Sequence, residues 1–257
     1  MDTFHCARLT LGLLDLTDLS GGSDEPAIAK LCDDAVTRHG PVAAICIWPK
    51  YVAYARKLLG DSSPVKIATV VNFPSGSQPC QQVLDETVAA VKAGADEIDL
   101  VMPYNEFKQG NAEAVTSLIN EVRAVSPSGC HLKVILETGM LESESLVTDA
   151  SLLVISTGAD FIKTSTGKVA VNATPEVADL MLEAIRQTGG KTGFKAAGGV
   201  RSVVQAKVYL DIAVKKLGID WVTAEHFRFG ASGLLVDVLN VLDSTENQAT
   251  ASPTTQD

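Results

Sequence analysis

The sequence contains little that would suit a secreted, metal-binding or nucleic-acid-binding protein. Its five cysteines are widely spaced and form no C-x-x-C pair, which argues against a disulfide framework and against a structural zinc site. The four histidines share no ligand spacing, so we expect no metal ion. The net charge of −10 argues against the basic surface that a nucleic-acid-binding protein needs.

Long apolar runs are also missing. No segment approaches the roughly 18 consecutive apolar residues of a membrane span. Residues 1–10 lack the basic start and the apolar core of a signal peptide. We therefore expect neither a membrane nor a nucleic-acid partner, reduced thiols and a cytoplasmic location.

Short β-branched runs alternate with stretches of helical period along most of the chain. The expected strands are residues 11–17, 43–48, 66–71, 97–101, 133–137, 160–164, 192–196 and 227–230. This alternation predicts the α/β class and a (β/α)₈ TIM barrel, formed by residues 1–243 as a single domain. A doubly wound open sheet is the alternative, but no G-x-G-x-x-G follows a strand. Residues 244–257 are polar and without aliphatic period, so we expect a disordered tail.

Neighbouring strands place charged residues in the interior of such a barrel. Alternate residues of a barrel strand face inwards, and this pattern turns Asp99, Lys133, Lys163 and Lys195 towards the lumen. Burial and neighbouring ammonium groups both lower the pKa of a lysine, and only a neutral amine attacks a carbonyl. An isolated lysine at a strand end usually extends to solvent. Three lysines beside an aspartate instead favour a Schiff-base site.

Two glycine-bearing segments follow the last two expected strands. Gly198 and Gly199 follow the seventh strand, whereas Ser232 and Gly233 follow the eighth and precede the last helix. In α/β barrels these two loops and a helix N-terminus commonly bind phosphate. The alternative is that the glycines only allow tight turns. Their position on these two loops favours a phosphate site.

The segment from Phe161 to Lys168, with the following residues to Pro175, resembles the signature of the 2-deoxyribose-5-phosphate aldolases. The resemblance includes residues 43–47, 71–74, 94–99, 132–138 and 228–232, and it extends from about residue 13 to residue 242. It implies a (β/α)₈ barrel without a cofactor. The implied activity is reversible cleavage of 2-deoxy-D-ribose 5-phosphate to acetaldehyde and D-glyceraldehyde 3-phosphate, in deoxyribonucleotide catabolism.

The resemblance also implies the roles of individual residues. Lys163 would form the Schiff base, Lys195 would perturb it and relay protons, and Asp99 would act as the acid/base partner with a water. The implied substrate-binding residues are Asp15, Thr17, Cys46, Lys133, Thr166 and Lys168, together with the glycine-loop residues Gly198, Gly199, Ser232 and Gly233. Of these, Lys133 would support the polar network and Cys46 would lie near the site.

Three positions depart from the family pattern. Ala196 replaces a proline, Gly233 replaces a second serine of the presumed phosphate site, and no tyrosine follows Tyr209. Two alternatives stay open: another phosphate-binding Schiff-base aldolase or isomerase of the same fold, and a non-catalytic relative. The expected ligands are small phosphosugars and aldehydes, and a homodimer also stays open.

Overall fold

Apolar strands and amphipathic helices alternate to form a closed parallel barrel. The computed structural model describes residues 1–250, with side chains as far as Ser244. The strands are β1 (Leu14–Asp18), β2 (Val36–Thr37), β3 (Gly40–Pro41), β4 (Ala44–Ile47), β5 (Lys66–Val71), β6 (Glu97–Val101), β7 (His131–Ile135), β8 (Phe161–Lys163), β9 (Gly193–Ala197) and β10 (Phe227–Ala231).

Eight of these strands close the barrel in the order β1, β4, β5, β6, β7, β8, β9, β10, and β10 pairs with β1. The helices are α1 (Thr3–Gly12), α2 (Glu25–Asp34), α3 (Val52–Leu59), α4 (Cys80–Lys92), α5 (Tyr104–Lys108), α6 (Ala112–Val125), α7 (Glu144–Ser156), α8 (Pro175–Gln187), α9 (Val203–Leu217) and α10 (Leu234–Thr250). This architecture confirms the predicted TIM barrel.

The register of neighbouring strands determines which side chains meet in the interior. Asp99 of β6 is aligned with Lys133 of β7, and Lys163 of β8 is aligned with Lys195 of β9. The intervening Ile98 and Val134 are fully buried. The strands are thus apolar towards the helices and charged towards the lumen, as the alternation of their residues predicts.

Some strand boundaries differ from the sequence-based expectation. Leu11 and Gly12 close helix α1, so the first strand begins only at Leu14. The fifth barrel strand ends at Ile135, and Glu137 beyond it has a left-handed backbone with φ of 53°. The short antiparallel pair β2–β3 was not predicted, because two-residue strands carry no alternating pattern.

The last helix corrects part of the expected disordered tail. Helix α10 continues to Thr250, so the backbone of residues 244–250 is helical. No glycine or proline interrupts the sequence between Leu234 and Thr250, and nothing in it forces the helix to end earlier. The rest of that tail, residues 251–257, lies outside the described residues. Within residues 1–250, none of the helices has the length and apolar character required to cross a bilayer.

Candidate active site

Seven charged side chains form a buried network inside the barrel. None of them is more than 3% exposed to solvent. They are four cationic and three acidic residues: Lys133, Lys163, Lys195, Arg228, Asp15, Glu97 and Asp99. Buried charges require partners, and each of these residues has at least one of opposite charge.

Asp99 lies at the centre of the network and contacts three ammonium groups. Its Oδ2 accepts from Lys163 Nζ at 2.7 Å and from Lys195 Nζ at 2.8 Å. Its Oδ1 accepts from Lys133 Nζ at 3.0 Å. A single carboxylate therefore joins the three lysines that the sequence places in the lumen.

Two further carboxylates link these lysines to Arg228 on β10. Asp15 Oδ2 lies 2.5 Å from Lys195 Nζ, and Glu97 Oε2 lies 2.5 Å from Lys133 Nζ. The guanidinium of Arg228 donates to Asp15 Oδ1 at 2.6 Å and to Glu97 Oε1 at 3.0 Å. Arg228 thus contacts both acidic residues, each of which also contacts a lysine.

The lysines of the network differ in the direction in which their pKa values are shifted. Burial lowers the pKa of Lys163, and the charge of Lys195 lowers it further against the opposing effect of Asp99. Burial also acts to lower the pKa of Lys195, but Asp15 and Asp99 together raise it above its usual value. For Lys133, Asp99 and Glu97 likewise outweigh burial and raise the pKa. Lys163 is therefore the lysine of this set that gives up its proton most readily.

Two acidic residues of the network, Asp15 and Asp99, have lowered pKa values and stay ionised. Burial alone raises the pKa of Asp99, but the ammonium groups of Lys133, Lys163 and Lys195 hold it well below its usual range. The pKa of Asp15 is also lowered, because Lys195 and Arg228 outweigh its burial. A carboxylate with so low a pKa is a weak base, so Asp99 is better suited to orient the lysines than to remove a proton from carbon.

Two glycines, Gly193 and Gly230, leave space for the buried side chains of Phe161 and Lys195. A Cβ on Gly193 would lie 2.4 Å from the ring of Phe161, which fills the barrel floor. The ammonium of Lys133 lies 6.0 Å from the centre of that ring, and Arg228 Cζ lies 5.6 Å from it. A Cβ on Gly230 would lie 3.0 Å from Lys195 Cε. The apolar Phe161 ring beside Lys133 and Arg228 strengthens the electrostatic interactions of these two residues.

Above the network a cavity of about 600 Å³ opens at the carboxyl ends of the strands. Of the seven network residues, only Lys163 lines it. The predicted residues that line the cavity with Lys163 are Thr17, Thr166, Lys168, Gly198, Gly199, Ser232 and Gly233. The structure therefore places Lys163, whose pKa is lowered by burial, at the floor of a pocket of ligand size.

Three of the residues expected to bind substrate do not line this cavity. Asp15 and Lys133 are fully buried in the ionic network beneath it. Cys46 is fully buried too, and burial raises the pKa of its thiol. Asp15 was expected to bind the substrate. In the structure its carboxylate forms ion pairs with Lys195 and Arg228.

The glycine loops lie at one side of the cavity. Gly198 and Gly199 have φ of 84° and 93°, in the left-handed region that favours glycine. A Cβ on Gly198 would also approach the side chain of Asn172 to 2.7 Å. Ser232 and Gly233 directly precede helix α10, whose N-terminus favours anions. Arg201 adds a positive side chain to the cavity wall.

The loop that follows Lys163 is supported by the strained residue Glu137. The Glu137 carboxylate accepts from Thr166 N at 3.2 Å and from Thr166 Oγ1 at 2.5 Å. Thr166 Oγ1 in turn accepts from Lys168 N at 3.0 Å. Lys168 Nζ donates to Leu19 O at 2.7 Å and so connects the loops after β8 and β1.

Sequence reasoning missed Glu97 and Arg228. Both signals were present: Glu97 stands two residues before Asp99 on the same strand face, and Arg228 lies in the inward register of β10. In the part of the chain that the structure describes, no group of three or more His, Cys, Asp or Glu residues could hold a metal ion.

Comparison with known proteins gives consistent matches over nearly the whole chain. A family model described as DeoC/LacD family aldolase matches residues 13–235. A deoxyribose-phosphate aldolase from Agrobacterium fabrum is 52% identical over 248 residues, which cover 96% of each chain.

Solved structures give the same picture of the fold. A protein from Toxoplasma gondii ME49, provisionally assigned as a deoxyribose-phosphate aldolase, matches with a TM-score of 0.85 at 26% identity over 94% of this chain and 97% of its own. The deoxyribose phosphate aldolase from Aeropyrum pernix, described as a tetramer, matches with a TM-score of 0.72 over 95% of this chain and 98% of its own. At 24% identity this second likeness concerns the fold alone.

Proposed function

The chain belongs to the DeoC/LacD aldolase family, and we propose that its aldol chemistry proceeds through a Schiff base on Lys163. Its activity is that of a deoxyribose-phosphate aldolase, a lyase that acts on a small phosphosugar. The observation that carries the proposal is the position of Lys163. It is the one member of the charged network that lines the cavity, and burial lowers the pKa of its ammonium group.

The first step is attack of neutral Lys163 Nζ on C1 of open-chain 2-deoxy-D-ribose 5-phosphate. The addition forms an N–C bond, and loss of the C1 oxygen as water leaves a protonated imine. Lys195 stays an ammonium group, since Asp15 and Asp99 raise its pKa. We assign to it the electrostatic stabilisation and the proton relay at this step, with Asp99 orienting both lysines.

The second step is cleavage of the C2–C3 bond. Asp99, acting through a water, takes the proton of the C3 hydroxyl, and the electron pair of the C2–C3 bond moves into the imine. D-glyceraldehyde 3-phosphate leaves, and an enamine remains on Lys163. Protonation of C2 and hydrolysis by water then release acetaldehyde and restore the amine. The reverse sequence joins acetaldehyde to the acceptor aldehyde.

The glycine loops are the proposed phosphate site. Gly198, Gly199, Ser232 and Gly233 line the cavity, and helix α10 begins at the next residue. Backbone N–H groups and a helix N-terminus suit a dianion, and Lys168 and Arg201 contribute positive charge to the same cavity. Local groups of this kind are needed, because the net charge of −10 does not attract an anionic substrate.

Assembly and location complete the proposal. A homodimer stays open as the assembly, and light scattering would distinguish it from the tetramer described for the A. pernix neighbour. All five cysteines are free, and we propose a location in the reducing cytoplasm.

A retro-aldol assay tests the function. The protein, Lys163→Met and a matched control, Lys66→Met, are supplied with 2-deoxy-D-ribose 5-phosphate, and D-glyceraldehyde 3-phosphate is detected by a coupled reaction. Lys66 begins β5 as an exposed residue, so it shares the strand context without the site. We expect activity in the protein and in Lys66→Met, and a loss of about 10³-fold or more in Lys163→Met. Full activity of Lys163→Met would overturn the assignment.

A further inference from the structure

We propose that Arg228 and Glu97, neither of which lines the cavity, are positioning residues that set the protonation state of Lys163 and hence the pH range of Schiff-base formation. The inference rests on the proposed function of Lys163.

Two parallel chains of contacts connect Arg228 to Lys163. In one, Arg228 contacts Asp15 at 2.6 Å, Asp15 contacts Lys195 at 2.5 Å, and Lys195 contacts Asp99 at 2.8 Å. In the other, Arg228 contacts Glu97 at 3.0 Å, and Glu97 contacts Lys133 at 2.5 Å. Lys133 in turn contacts Asp99 at 3.0 Å. Both chains end at Asp99, the ion-pair partner of Lys163 at 2.7 Å.

The number of charges in the network points to a balance. Lys133, Lys163, Lys195 and Arg228 can carry four positive charges, whereas Asp15, Glu97 and Asp99 carry three negative charges. Because unpaired charge in a buried site is costly, the network is balanced when one cationic group is neutral.

Lys163 is the member best placed to be neutral. Arginine does not lose its proton in proteins. Lys133 and Lys195 each form ion pairs with two or more carboxylates, whereas Lys163 pairs with Asp99 alone among the contacts of the network. Lys163 also borders the cavity, where a released proton can reach solvent.

Other titratable groups lie around the network. Cys46 on β4 is a thiol whose pKa is raised by burial, so it stays neutral. Glu137, beyond β7, bonds Thr166, and burial raises the pKa of its carboxyl against the opposing charge of Lys163, which favours the neutral form and leaves Glu137 out of the charge count. His131 lies 3.8 Å from Glu97 and 3.9 Å from Glu225, and it is partly exposed. A His131→Gln background separates any titration of the imidazole from that of Lys163.

The balance predicts opposite effects for two residues in direct contact. Without Arg228, the three lysines of the network balance its three carboxylates only if Lys163 is protonated. Lys163 should therefore keep its proton to a higher pH. When the charge of Glu97 is removed, only two anions remain, and Lys163 loses its proton at a lower pH. A purely structural role would impair both variants without moving their pH profiles in opposite directions.

The experiment measures the rate of reductive trapping with acetaldehyde and cyanoborohydride as a function of pH, by intact mass and peptide mapping. We expect the midpoint to rise by about one pH unit in Arg228→Met and to fall by about one unit in Glu97→Gln. The double variant should return to the parental profile, and Arg228→Lys, which keeps the charge, should remain near it. Thermal unfolding confirms that each variant is folded.

The outcomes separate the two proposals. If the parent protein is not labelled at Lys163, the proposed function fails. If Lys163 is labelled but both single variants shift in the same direction, or neither shifts, the charge-balance inference is wrong. Should Arg228→Met not fold, Glu97→Gln still decides, because an unchanged or raised midpoint in that variant contradicts the inference.

Discussion

The floor and the mouth of the barrel are built from different chemical groups. The floor consists of the seven-residue charged network and the neighbouring Phe161 ring. The charged side chains lie on strands, are all at most 3% exposed and are arranged around Asp99. The mouth consists mainly of loop residues, among them Gly198 and Gly199 in left-handed conformations. Lys163 is the one network residue that reaches both regions. Under the proposed function, the floor controls protonation and the mouth controls affinity, so substitutions in the two regions should change different kinetic quantities.

The largest difference should appear between Lys195→Leu in the floor and Lys168→Met in the mouth. The charge of Lys195 helps to lower the pKa of Lys163, so its removal raises that pKa and leaves less neutral amine at neutral pH. We expect trapping by acetaldehyde to fall by about tenfold or more at neutral pH and to recover partly in alkaline solution.

Lys168→Met should instead retain trapping and raise the KM for the phosphorylated substrate. Trapping rates across pH and steady-state kinetics for both variants check the pair. A pH-independent loss in Lys195→Leu would mean that Lys195 acts through structure and not through charge.

The sequence allowed only some of these roles to be predicted. Alternation along β6 to β9 identified Asp99, Lys133, Lys163 and Lys195, because a strand fixes which face each residue occupies. It did not reveal that the lysines are separated by carboxylates. Neighbouring ammonium groups alone would lower the pKa of all three, whereas in the structure it rises for Lys133 and Lys195.

Three-dimensional contacts account for what the sequence could not provide. Asp15 and Arg228 are 213 residues apart, and only barrel closure between β1 and β10 joins them. From the sequence pattern, the strained Glu137 is predicted to be the end of a strand. Its hydrogen bonds to Thr166 depend on the path of the loop after β8. The glycine loops were easier to predict, since their position after the last two strands already defines their place in the mouth.

Packing gives a second contrast between floor and mouth. A Cβ at Gly193 would lie 2.4–2.8 Å from atoms of the Phe161 ring, whereas a Cβ at Gly233 would have no neighbour within 4 Å. We expect Gly193→Ala to lower the free energy of unfolding by about 1–3 kcal/mol, as overpacking does. Gly233→Ala should change it by less than about 0.5 kcal/mol. Urea denaturation of both variants measures the difference, and equal losses would contradict the described packing of the floor.

The most selective expected effect concerns the phosphate alone. Gly233 has room for a side chain, so Gly233→Ser adds a hydroxyl beside Ser232 at the start of α10. A hydrogen bond to a charged group contributes about 1.5–3 kcal/mol at best, which allows a gain in phosphate-substrate affinity of about tenfold or more. Ser232→Ala should weaken the same substrate.

Neither change should affect unphosphorylated deoxyribose, which places nothing in this part of the cavity. Parallel kinetics on the two substrates check the prediction. Equal shifts for both substrates would place the phosphate elsewhere.

Covalent trapping with peptide mapping tests the central claim most directly. Borohydride and acetaldehyde are added to the protein, and the modified lysine is identified by mass spectrometry of its peptides. We predict one stable adduct, on Lys163, because this amine lines the cavity and burial lowers its pKa. An adduct on Lys168, which also lines the cavity, or the absence of any adduct in an active protein, would contradict the account.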